Sequence, residues 1–286
     1  MLLDQLFEDA EGDLRRSQMA NRFIENLVSY INKLDKAGRG IDHLHKYVVS
    51  HDAPDGYPGL VSDDFGYSGG MLRGVLVCFR HNDFPETNGS AAPVEDGGDI
   101  RYVVQMDVKT DDLRTLMFSV SSTNGRTVLL HEIAHVIDYI RYKDKNGIKK
   151  REIVRVKKAA KDMTPDERMA HRQKEIEVYH NDPLERNAFF HNMAEPLLQR
   201  MRYLQNDSMA LEFLDPIPRD FREYFNGTLK KKYGVVGQHW ATVSEDGKRR
   251  IVSRLNSLFT LFWKSLDARE AAKAKYSEEK STEVAA

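Results

Sequence analysis

Cysteine is almost missing from this chain: Cys78 stands alone among 286 residues. One thiol excludes an internal disulfide framework and a cysteine-built zinc ribbon, and its place among Leu76, Val77 and Phe79 predicts a small core residue in a strand. An excess of either charge is missing too, since 43 basic residues face 44 acidic ones. That balance gives no bulk attraction to nucleic acid or to an anionic membrane. No apolar run approaches the length of a membrane span. The start, M-L-L-D-Q-L-F-E-D-A-E-G-D, lacks the basic opening and long apolar core of a secretion signal. No repeat of solenoid period is present. The expectation is a soluble, cytoplasmic protein without membrane or nucleic-acid partners.

What is present centres on Thr127–Tyr142, T-V-L-L-H-E-I-A-H-V-I-D-Y-I-R-Y. At about 100° per residue in a helix, His131 and His135 lie roughly 40° apart, one turn along the same face. Two imidazoles so placed can reach one ion, while Glu132 projects to the side, where its carboxylate can address a water. Leu129, Leu130, Ile133, Ala134, Val136 and Ile137 surround these polar groups, as in a buried helix, and Ser121, Ser122, Thr123 and Asn124 offer N-caps. An H-E-x-x-H set also arises by chance on solvated helices. Here the apolar flanks argue against that, because a half-buried helix rarely carries two His and a Glu without partners.

Upstream, Asp13 to Lys36 has the spacing of an amphipathic helix, with Leu14, Phe23, Leu27, Ile31 and Leu34 on one face. His43 and His45 fall on one face of a predicted strand over 41–50, with His51 close by, which makes a second metal site conceivable. Ala53–Gly70 and Asn82–Asp99, rich in Pro and Gly, read as loops. Met71–Arg80 and Ile100–Val108 read as strands, and Leu116–Val120 as a short third. Arg141–Lys161 is a basic connector. A helix is predicted from Thr164 to about His180, a stop at Asn181-Asp182-Pro183, and a new helix after it. Leu197–Leu214 and Pro218–Tyr233 read as helices, Val235–Val243 as extended, and Arg250–Leu266 as an amphipathic helix that closes the domain or docks on a partner. Ala268–Ala286 reads as a charged, frayed end.

Strands running into an H-E-x-x-H helix resemble the zincin metallopeptidase superfamily, over roughly residues 70–200 and most sharply at His131-Glu132-Ile133-Ala134-His135. The resemblance implies an α+β, zincin-like fold, predominantly helical with a small twisted sheet before the H-E-x-x-H helix. It implies Zn²⁺ held by His131 and His135, Glu132 as general base, and an edge strand that binds extended peptide. The metzincin variant does not apply, because Asp138 stands where its glycine would be. The segment Y-H-N-D-P-L-E-R-N-A-F-F, with Glu185, Ala188 and Phe189 on one face, resembles the gluzincin clan, in which a glutamate from a later helix completes the site. Glu185 is then the third ligand.

Alternatives stay open at this point. Asp182, Pro183 and Glu185 also satisfy a capping box that needs no metal, and Asp138, His191 or Glu195 could ligate instead. Asp138 and Asn187 are candidates to support ligands by hydrogen bonds, and Tyr179 and His180 to stabilise an oxyanion. The expected organisation is an N-terminal helical segment over 1–52, a catalytic region over 53–200 and a helical region over 201–286. The expected function is zinc-dependent hydrolysis of a peptide bond in a peptide or protein substrate. The same H-E-I-A-H-V-I-D and P-L-E-R-N-A-F segments resemble metallopeptidase-like domains of bacteriophage proteins, which implies the alternative of a virion or assembly component with little proteolytic activity. Its terminal helices would then dock a protein partner, in the host cytoplasm or the virion.

Overall fold

Val77 and Phe79 in one strand segment and Val104 and Met106 in another alternate with other residues, bury one face against helices and so fix the centre of a sheet. The computed structural model describes residues 3–48, 56–67, 70–83, 88–96, 99–146, 164–205, 215–232 and 238–285. The chain is mixed α+β, mostly helical with one five-stranded sheet. In chain order the elements are α1 (Leu3–Lys36), β1 (His45–Tyr47), β2 (Tyr57–Val61), β3 (Leu76–His81), β4 (Asn88–Asp96), β5 (Asp99–Val108), α2 (Leu113–Ser121), α3 (Thr123–Asn146), α4 (Pro165–Asn181) and α5 (Pro183–Gln205). They are followed by α6 (Phe221–Glu223), a π-helical turn (Tyr224–Leu229), α7 (Lys230–Lys232), α8 (Gln238–Thr242) and α9 (Glu245–Ala285). Among the described residues no helix is long and apolar enough to cross a membrane.

The strand order is β1-β2-β3-β5-β4, with β3 and β5 parallel and every other pair antiparallel. Val77, Phe79, Val104 and Met106 point from the sheet into a core that also takes Phe23, Ile24, Leu27 and Ile31 from α1 and Leu129, Ile133, Val136 and Ile137 from α3. The apolar stripe of α1 is thus consumed inside the fold. Cys78, on the opposite sheet face with Leu76 and Val103, is fully buried.

Several segments differ from the sequence reading. Two of the strands lie where loops are expected. β2 contains Pro58 and Gly59, and a Cβ at Gly59 would lie 2.5 Å from the Val77 carbonyl oxygen, so glycine is there because neighbouring backbone comes close. β4 contains Pro93 opposite Tyr102, tolerated because β4 is an outer strand. Leu116–Val120 is helix rather than strand: Asp112 caps α2 by accepting from the Thr115 N–H at 2.6 Å, and Leu113, Leu116 and Val120 are buried at helical spacing. His43 sits in a 3-10 turn, Ile41–His43, and not in the strand that holds His45. His43 meets Arg39 while His45 lies 3.9 Å from Asp64, so the shared face is lost; His51 falls outside the described residues. Gln238–Thr242 is helical where extended chain is expected, and α9 continues helical to Ala285. Most of the basic stretch 141–161, and residues 206–214, also lie outside the described residues.

By its internal contacts the chain forms two compact units. One comprises Met19–His171 and Pro183–Asn192; the other comprises Met1–Gln18, Arg172–Asp182 and Met193–Ala286. In the second, Leu255, Leu258, Phe259 and Phe262 of α9 are buried, and Phe259 packs against Tyr224 and Phe221 at ring distances of 5.3 and 5.6 Å. The α9 stripe therefore closes this unit. A polar seam runs through it: the wholly buried Asp13 pairs with Arg16 and, at 2.8 Å, with Arg254, while Glu195 takes Arg202 at 2.6 Å and the Ser17 hydroxyl at 3.2 Å.

Candidate metal centre

Helix α3 starts where the Ser122 hydroxyl accepts the Gly125 N–H at 3.1 Å. From there the 3.6-residue period sets Leu129, Leu130, Ile133, Val136 and Ile137 into the core and turns His131 and His135 the other way. After the stop at Asp182, α5 begins at Pro183, so Glu185 falls in its first turn. That turn faces the two histidines: Glu185 Oε2 lies 3.3 Å from His131 Nε2 and 3.2 Å from His135 Nε2, and the two Nε2 atoms are 3.1 Å apart.

Hydrogen bonds alone cannot account for this triangle. A neutral imidazole nitrogen carries either one proton or one lone pair, so at most two of the three edges can be good bonds. A cation at the centre satisfies all three. Bonds of about 2.0–2.1 Å in a tetrahedron put neighbouring donors about 3.3–3.4 Å apart, close to the spacing seen here. Among the described residues this is the one group of His, Cys, Asp and Glu side chains that could hold a metal ion. Asp138, His191 and Glu195, the other candidate ligands, are not part of it. His135 Nδ1 is buried and has no hydrogen-bond partner among the described residues. The His131 side chain keeps 17% of its exposure, against 6% for His135 and Glu185, so the cluster opens to solvent on the His131 side.

Glu132 is buried beside the cluster. Its carboxyl is pushed up to about 7, chiefly by burial, with His131 opposing the rise and Glu185 adding to it. Its side chain lies against Gly89 of β4, where a Cβ would come within 2.8 Å of Glu132 Cγ and 2.6 Å of Val128 Cγ1. Gly89 escaped the sequence reading because a lone glycine in a Pro- and Gly-rich stretch looks like any turn residue. Asp138, also buried, accepts a 2.6 Å hydrogen bond from Asn187 Nδ2. Tyr179 and His180 belong to the other unit; there His180 Nδ1 meets the Thr242 hydroxyl, and Tyr179 is half exposed. Glu195 lies in that unit too, held by Arg202.

Comparison with known proteins gives no match to a family model, to a curated protein or to a solved structure. The centre is therefore read from its own geometry.

Proposed function

We propose that the chain is a zinc-dependent metallopeptidase of the gluzincin type, with His131, His135 and Glu185 as ligands and Glu132 as general base. The observation that carries this reading is the triangle of two imidazole nitrogens and one carboxylate oxygen, 3.1–3.3 Å on every edge. Two neutral nitrogens and one oxygen are a donor set suited to zinc, and three protein ligands leave a position open, as catalytic sites do. Zn²⁺ held by these three residues would supply Lewis acidity for water activation and carbonyl polarisation.

The residues of the chain do the rest. Glu132, buried beside the cluster and held against Gly89, takes a proton from the attacking water and passes it to the leaving amine. Its burial keeps bulk water from the Glu132 side chain. β4 is an outer strand whose backbone passes Glu132 at Gly89, so an extended peptide pairing along it runs beside the base. The substrate class favoured is thus a peptide or protein in extended form.

The test is Glu132→Gln against wild type, with zinc content by elemental analysis and turnover of a quenched fluorescent peptide library. Loss of the base is expected to cost ~10²–10⁴ in rate, with zinc remaining near one per chain. Equal turnover by the two proteins would refute the assignment of Glu132. Absence of zinc from wild type after purification and reloading would refute the metal centre.

A further inference from the structure

Behind the two halves of the cluster stand Asp138, three residues after His135 on α3, and Asn187, two residues after Glu185 on α5. Asn187 Nδ2 donates to Asp138 Oδ2 at 2.6 Å. Ala188, fully buried beside Asn187, offers only a methyl group at the packed face of this turn. Among the described contacts, the start of α5 meets α3 through Glu185 at the imidazoles and again, two residues on, through Asn187 at Asp138.

We propose that the Asn187–Asp138 hydrogen bond is the contact that sets Glu185 as third ligand, an inference that rests on the metal-site reading above. Glu185 is the third residue of α5. A carboxylate at that position is ordinarily drawn back to the free N–H groups at the helix start. Its flexible side chain must instead point outward to the imidazoles. A second tether two residues along fixes the rotation of the turn about the helix axis, and that rotation decides which way Glu185 faces. Asn187 and Asp138 act as positioning residues: neither is in the donor cluster, and both shape it. Removing such supporting contacts typically weakens a metal site ~10–100-fold.

Zn²⁺ affinity, measured by competition with a chromogenic chelator, separates this role from a general packing one. Asn187→Asp sets two carboxylates against each other and is expected to weaken Zn²⁺ binding ~10–100-fold. The double variant Asp138→Asn with Asn187→Asp exchanges donor and acceptor and is expected to return the affinity close to wild type. Melting of the zinc-free proteins is followed in parallel, because a purely structural role would shift melting without the partner exchange restoring zinc. Should Asn187→Asp fail to fold, Asn187→Ala removes the donor without adding charge and carries the same expectation. Affinity unchanged in the single variant, or no recovery in the double variant, overturns the proposal while the metal site stands. Failure of wild type itself to take up Zn²⁺ removes both, and the two failures are distinct.

Discussion

Gly89 and Glu132 share a space that no larger residue at position 89 would leave open: a Cβ there would sit 2.8 Å from Glu132 Cγ and 3.1 Å from Glu132 Oε1. Real Cβ atoms do not approach so closely, so the side chain of Glu132 or that of Val128 would have to move. Gly89→Ala is expected to displace the carboxylate by a fraction of an ångström to an ångström, and misplacement on that scale can cost ~10²-fold in rate. Zinc stoichiometry should not change. Adding Val128→Ala, which clears the nearest contact at 2.6 Å, should recover part of the loss. Peptide turnover and elemental analysis on the three proteins check this, and a fully active Gly89→Ala variant would contradict it.

Cys78 is expected to be inert in the folded protein. It has no exposure, and burial pushes its thiol from 9.0 up to about 12. Alkylation by iodoacetamide near pH 8 should proceed only after denaturation. The sign for stability follows from the raised value. The neutral thiol favours the folded state fully below about pH 9, and that contribution is lost as pH climbs towards about 12. Cys78→Ala should therefore show a shallower fall in urea-unfolding free energy across that window than wild type. Rapid labelling of native protein would contradict the buried placement.

Asp13 carries a different kind of dependence. It is 1% exposed and pairs with Arg16 and Arg254. Asp13→Ala takes a buried carboxylate away from Arg16 and Arg254, a class of change that costs ~3–5 kcal/mol when the charges left behind are deeply buried. The arginine side chains keep 17% and 28% of their exposure, so water offsets part of the loss and a value of about 3 kcal/mol or less is expected. Arg254→Ala should cost less, because Asp13 keeps Arg16. Urea titrations of the two variants give the ranking, and the reverse order would contradict it.

The parts of this molecule that could be read from its sequence are those whose signal is local. His131 and His135 are one turn apart, and the apolar flanks reveal which way the helix faces. Helix α1 and the core of α9 show the same 3.6-residue period, while α4, which buries no residue, is announced only by its Thr164-Pro165-Asp166-Glu167 start and its Asn181-Asp182-Pro183 stop. Glu185, 54 residues from His131 in sequence, was within reach because Asp182-Pro183 marks a helix start and the clan resemblance expects a carboxylate there. What stayed hidden depends on neighbours distant in the chain. Pro58, Gly59, Gly89 and Pro93 punctuate the sequence as turn residues do, yet they occupy strands: Gly59 where the Val77 backbone comes close, Gly89 against the Val128 and Glu132 side chains, and Pro93 on an outer strand. Leu116–Val120 taken alone has the look of a short strand, and only together with Leu113 does the buried helical spacing of α2 emerge. The Asn187–Asp138 bond joins two polar residues that no spacing rule connects.

Pro93 has a consequence for the sheet as a whole. An outer strand normally offers a row of free amide hydrogens, and another copy of the chain can use that row to grow the ladder without limit. With no hydrogen on its nitrogen, Pro93 interrupts the row partway along β4. Any further ladder built on β4 therefore has a missing rung at Pro93.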